Sequence, residues 1–149
     1  MGQQQLILLV LATVIVGVAI VVGIRAFTEN SAKSNADAMT QDAVRMANDA
    51  QAWFKKPIPF GGPTAAEKTA GIVAFDLDNI NRGAAGGTYT NLNGVFSVDG
   101  TTGTITGKNI DEQNQITVTV NGLSDADITG AVVCLGGATP AGAACTVAL

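Results

Sequence analysis

Two cysteines are the most reactive side chains in this chain of 149 residues. Cys134 and Cys145 flank a Gly/Ala/Pro-rich stretch, LGGATPAGAA, and an even count in a chain that opens on a membrane or export segment favours a disulfide over two reduced thiols. Closing so short a loop is worth about 2–3 kcal/mol through the freedom removed from the unfolded chain. Two acidic pairs, Asp76-x-Asp78 and Asp125-x-Asp127, have the local spacing of calcium loops. Neither continues into the remaining ligand positions or the closing Glu of an EF-hand, so no metal is expected. Ser124, three residues ahead of Asp127, reads instead as half of a capping box, and Asp76 and Asp78 as solvated loop residues. The chain has no His, the commonest general base and metal ligand, and oxidised cysteines leave no thiolate. No Gly-rich segment matches a phosphate-binding fingerprint. The expectation is a protein that is not an enzyme and carries no cofactor.

Charge excludes a further class. The formal net charge is -4, and the basic residues (Arg25, Lys33, Arg45, Lys55, Lys56, Lys68, Arg82, Lys108) are scattered, with Lys55–Lys56 the sole adjacent pair. A nucleic-acid surface needs clustered Lys and Arg, so none is indicated. The threonines at 88, 90, 101, 102, 104 and 106 are potential carriers of O-linked sugar, but their plain reading is β propensity. Trp53, Tyr89 and the five Phe are dispersed and read as core residues rather than as an electron path.

These side chains are positioned by a chain of two contrasting parts. Leu6, Ile7, Leu8, Leu9, Val10, Leu11, Val14, Ile15, Val16, Val18, Ile20, Val21, Val22 and Ile24 form a charge-free apolar run, long enough as a helix to cross a bilayer. It is apolar on every side, so it needs lipid or other helices all round. After Ile24 the apolar positions narrow to a seam: Ala32, Ala36, Met39, Ala43, Met46, Ala50 and Trp53 step alternately by four and three, the spacing of one helix face. The opposite face, Thr40, Gln41, Asp42, Arg45, Asn48 and Asp49, suits solvent or a neighbouring subunit, and Asp42 and Arg45 are spaced to pair. Lys55 and Lys56 suit the negative end of the helix dipole, and Pro57 and Pro59 forbid continuation. One helix from about residue 3 to 55 would be roughly 80 Å long. Gly17 and Gly23 would let neighbouring helices approach closely or loosen this one locally.

The predicted organisation is α+β: residues 1–56 a long helix (1–24 its apolar assembly or transmembrane half, 25–56 its amphipathic half), 57–70 a linker and turn, and 71–149 a β-rich globular domain. Thr64–Ala70 makes a short helical turn, and Ile72–Ile80 supplies apolar residues without a clear period. Strands are predicted at Val95–Val98, Gly103–Gly107 and Ile116–Val120, with Ile116, Val118 and Val120 facing in. Asp99-Gly100 and Asn121-Gly122 mark turns, and Ala131–Leu135 with Cys145–Leu149 would form a last hairpin clamped by the disulfide. Four or five antiparallel strands are expected across the Met39–Trp53 half of the helix, against the seam of Met39, Ala43, Met46, Ala50 and Trp53.

The start of the chain narrows the function. MGQQQ has no Lys or Arg and the apolar run is too long for the h-region of a secretory signal peptide. Leu6 stands where a myristoylation signal needs Ser or Thr. A plain membrane anchor remains, with Arg25 and Glu29 a weak topology signal. Over roughly its first 55 residues, however, the chain resembles the type IV pilins: a Gly2-Gln3 junction, a charge-free run of Leu, Ile and Val, then an amphipathic helix. Gly2-Gln3-Gln4-Gln5 is similar to the class III export signal, where the peptidase cuts between Gly and Gln and the apolar helix stays on the mature subunit. Two positions depart from the family pattern. Met1 precedes Gly2 where the family carries Lys or Arg; the usual Glu at the fifth mature position is Gln5 counted from Met1, or Ile7 counted from Gln3. Bacterial members often melt near a Pro in this stretch; none is present, so a continuous helix is expected.

The resemblance implies a structural subunit of an extracellular, cell-surface filament: a homopolymer held together by its apolar helices, resident in the cytoplasmic (inner) membrane before assembly. It further implies a prepilin peptidase, an assembly ATPase and a platform protein as partners. The rival expectations are a membrane-tethered extracytoplasmic binding domain and a minor pseudopilin of a secretion system. Adhesion, motility and DNA uptake all remain open as roles for such a fibre.

Overall fold

The computed structural model describes residues 2–83, 87–111, 113–142, 144, 145 and 147. One helix, α1, runs Gly2–Lys55 without interruption, through Gly17 and Gly23. The chain divides into two compact units, one ending at Ser31 and one starting at Ala32. The divide falls a little beyond the change of polarity at Ile24 because Ala32 is the first buried residue of α1.

The first unit is helix alone. The second, the head, is an α+β domain in which the rest of α1 packs on a five-stranded antiparallel sheet. The strands are β1 (Thr88–Thr90), β2 (Val95–Asp99), β3 (Thr104–Asn109), β4 (Asn114–Val120) and β5 (Ile128–Cys134), each paired with the next in sequence. Alternation explains which face packs. Ile116, Val118 and Val120 are buried while Thr117 and Thr119 are partly exposed, and Ile105 and Phe96 fill the same layer from β3 and β2. Across β3 and β4, Thr104 and Thr119 are register partners whose hydroxyls lie 3.2 Å apart.

The seam is the other half of this core. Met39, Ala43, Met46, Ala50 and Trp53 are all buried against Phe75, Leu77, Phe96, Ile105, Ile116, Val118 and Val120. Gly107 makes room for one of these: it pairs with Phe96 across the strands, and a Cβ there would stand 2.8 Å from the Phe96 ring. Between α1 and the sheet, Pro57 ends the helix. The segment Ile58–Phe60 forms a 3-10 turn, and α2 (Ala65–Ala70) starts at Thr64. Thr64 and Glu67 make a full capping box, and the Thr64 backbone N–H, together with its hydroxyl, holds the Glu67 carboxyl below the ordinary glutamate range. The second box, Ser124 with Asp127, forms as the spacing predicts. Asp76 and Asp78 are exposed, as expected of loop residues.

The connections follow the sequence reading in part. The turn at Asp99-Gly100 joins β2 and β3 as a hairpin, as the sequence predicts; it spans 100–103, closed by Gly103 N–H to the Asp99 carbonyl at 2.8 Å, with Gly103 at φ 65. Asp99 also accepts from the Thr101 N–H at 2.8 Å, which draws its pKa down. Asn121-Gly122 opens a longer link through a 3-10 turn at Asp125–Asp127 rather than a tight turn. β1 arises from a segment with no strand prediction. β5 starts earlier than the predicted Ala131, at Ile128, and pairs with β4. Gly136 and Gly137, at φ 58 and 82, turn the chain back after Cys134, and the Cys145 N–H is taken by the Gly137 carbonyl at 2.8 Å. Cys145 and Val147 carry no strand; the remainder of the predicted Cys145–Leu149 strand lies outside the described residues.

Candidate assembly surface

Two surfaces of different chemistry stand out, one in each unit. In the first unit every large apolar side chain of the run is exposed, from 52% at Val21 to 68% at Ile7. Leu6, Ile7, Leu8, Leu9, Val10, Leu11, Val14, Ile15, Val16, Val18, Ile20, Val21, Val22 and Ile24 thus cover the helix all round. Thr13 does not break the apolar surface chemically, because its hydroxyl donates to the Val10 carbonyl at 2.8 Å within the helix. Above Gly17 and Gly23 nothing approaches within 4 Å of where a Cβ would stand. Gly2 and Gln3, the expected processing site, form the first helical residues of α1. Fully burying a Val, Leu or Ile is worth roughly 1.5–3 kcal/mol each, so a helix with this surface has a strong drive to leave water. By length and composition it is a candidate membrane span.

In the head, the face of α1 that sequence periodicity leaves polar proves to be partly enlisted. Asp42 accepts the side-chain amides of Asn91 at 2.8 Å and Asn93 at 2.7 Å, rather than pairing with Arg45. Asp49 holds Arg82 in the one salt bridge among the described residues, at 3.0 Å, and that guanidinium lies 5.3 Å from the centre of the Tyr89 ring. Gln41, Arg45 and Asn48 are exposed, as the helix period predicts. Gln51, one step off the seam, is buried and donates to the carbonyls of Gly122 at 2.9 Å and Ser124 at 3.1 Å.

The polar residue that sequence reasoning missed is Asn114. It is fully buried; its amide nitrogen donates to the Ala32 carbonyl at 2.7 Å and to Asn35 Oδ1 at 2.9 Å, while its oxygen accepts the Gly136 N–H at 2.9 Å. One side chain thereby ties the start of the head's helix to β4 and to the loop closed by the disulfide. The repeated asparagines at 35, 91, 93, 109 and 114 were the available signal, because Asn supplies both donors and acceptors to backbone that has left regular structure. Among the described residues no buried side-chain N or O lacks a partner. Asn114→Ala therefore orphans several groups at once and should cost about 3 kcal/mol. Thermal melting of the purified chain followed by Trp53 fluorescence checks this; an unchanged melt would show the contacts to be incidental.

Cys134, buried at the end of β5, is joined to Cys145 with their Cα atoms 6.3 Å apart. Among the described residues no group of three His, Cys, Asp or Glu side chains converges as a metal site would require. Comparisons with protein-family models, with curated proteins and with solved structures give no match.

Proposed function

We propose that this chain is a structural subunit of an extracellular type IV pilus-like filament, polymerising through its apolar N-terminal helix. The observation that carries the reading is the helix exposed and apolar on every side from Leu6 to Ile24, with no charge before Arg25. Such a surface needs apolar neighbours all round, which lipid supplies before assembly and identical helices supply afterwards. The Gly2-Gln3 junction and the passage of the run into an amphipathic seam, in one uninterrupted α1, support it further. In this reading the heads coat the fibre, the role is structural rather than catalytic, and a prepilin peptidase, an assembly ATPase and a platform protein serve it.

The test is surface shearing followed by electron microscopy of the released fraction. Fibres that contain this chain are expected. A chain found wholly in membrane vesicles, with no fibres, would overturn the reading in favour of a tethered extracytoplasmic domain. N-terminal analysis of the mature subunit adds a second check, since a start beyond Ile24 is incompatible with a retained helix.

A further inference from the structure

The head carries two surface features that its own core leaves unused, one apolar and one of mixed polarity, and they differ in shape. One protrudes. The 3-10 turn Ile58–Phe60 is closed by Phe60 N–H to the Pro57 carbonyl at 3.0 Å and Gly61 N–H to the Ile58 carbonyl at 3.1 Å. Gly61 is at φ 79, and Gly62 packs so closely on the Lys56 carbonyl that no Cβ fits there. This braced knuckle displays Ile58 and Phe60, the latter 79% exposed, beside the exposed Lys55 and Lys56.

The other feature recedes. A groove of about 370 Å³ is lined by Leu92, Gly94, Val95, Lys108, Ile110 and Asp111. Leu92 is completely exposed at its edge, yet the loop that bears it is fixed. Asn91 Oδ1 accepts the N–H groups of Asn93 at 2.9 Å and Gly94 at 3.0 Å, and both asparagine amides hold Asp42. A loop whose backbone is already fixed has less ordering cost left to meet on binding.

Their placement on the head decides what fits. The groove lies beside the stretch of α1 from Asn35 to Asp42, to which Asn91 and Asn93 tie it, while Asn109 donates to the Asn93 carbonyl. The knuckle follows Lys55, at the other end of the same helical segment, about 20–30 Å farther along its axis. A knob and a socket at opposite ends of one rigid body make a heterologous contact, which repeats from copy to copy and stays open wherever the rotation between copies does not close a ring. Charge agrees in part: the knob carries Lys55 and Lys56, and the groove's lining sets the exposed Asp111 beside one cation, Lys108.

We propose that the Ile58–Phe60 knuckle of one subunit seats in the Leu92–Ile110 groove of a second copy, with Lys55 and Lys56 facing Asp111. The inference rests on the filament reading above and gives it an outer contact: heads stacked end to end, in addition to helices bundled within. Because different patches meet, each subunit offers one knob and one socket, and a chain of heads results.

The experiment is disulfide trapping in sheared fibres of the full chain. Phe60→Cys and Leu92→Cys in the same chain, mildly oxidised with copper–phenanthroline, should give a ladder of covalent multimers on a non-reducing gel. Either substitution alone should stop at dimers. Fibres at wild-type abundance that yield only monomer from the double variant would overturn the contact and leave the filament standing. Absence of fibres from the wild-type chain would sink both. Should the cysteines themselves weaken assembly, charge exchange decides. Asp111→Lys alone, or Lys55→Glu with Lys56→Glu, should lower the sheared yield roughly tenfold by placing like charges across the contact, and the three together should restore it. Failure of the combination to restore yield overturns the pairing.

Discussion

Val14→Asp should abolish the proposed fibre while leaving the head folded. Val14 lies within the exposed apolar run, 57% exposed on the isolated chain. In a bundle of such helices its side chain has only hydrocarbon for neighbours. A carboxylate there meets a penalty of several kcal/mol with no partner in reach, and every subunit of the polymer bears it. Insertion in lipid is penalised less, by about 2.5–3.5 kcal/mol, which the remaining Leu, Ile and Val side chains outweigh. The expected result is subunit at wild-type level in the membrane fraction, with Cys134–Cys145 oxidised, and a sheared fraction without fibres. Val14→Leu, which keeps the surface apolar, should assemble. Fibres of Val14→Asp at normal abundance would show that the run does not form the fibre's interior. The head should not register the change, since its compact unit begins only at Ala32.

Phe96→Ala should be the most damaging single truncation in the head. Phe96 is fully buried on β2, its ring centre 6.3 Å from that of Tyr89. Truncating a buried Phe costs about 3–5 kcal/mol, the spread reflecting how well the site collapses. Here it collapses poorly, because the cross-strand partner is Gly107, which has no side chain to move in. For a head of this size that corresponds to a fall of roughly 15 °C in Tm. Trp53, buried in the same cluster and the sole tryptophan, reports the melt by fluorescence. Phe96→Leu refills most of the space and should lose under about 1.5 kcal/mol. A Phe96→Ala melt within a degree of wild type would mean that this layer of the core is not formed as described.

Both predictions depend on features visible along the chain. The apolar run, the stop at Pro57, the seam to Trp53 and the alternation at Ile116, Val118 and Val120 were all legible before any coordinates. Burial writes itself into sequence as a period of 3.6 or 2, and those periods are local. The capping box at Ser124–Asp127 was equally local, three residues end to end, while the one at Thr64–Glu67 emerged only with the structure. The candidate assembly helix was therefore readable almost whole.

What escaped was everything that joins distant segments without a period. Asn114 reaches the Ala32 carbonyl across 82 residues of sequence, and no spacing announces it. Asp42 and Asp49 looked like solvent-facing members of a helix, and they became acceptors for Asn91, Asn93 and Arg82 only once the loops were laid over them. The return of the chain after Cys134, through the left-handed glycines at 136 and 137 to the Cys145 N–H, had no signal in the sequence either. The sequence by itself determined that α1 is apolar all round up to Ile24 and one-sided after it, because that contrast is carried by residue type alone. Only the tertiary structure decided where the groove sits relative to the knuckle. The knuckle is built by local bonds right after α1, but the groove's position depends on hydrogen bonds between chain segments that folding brings together.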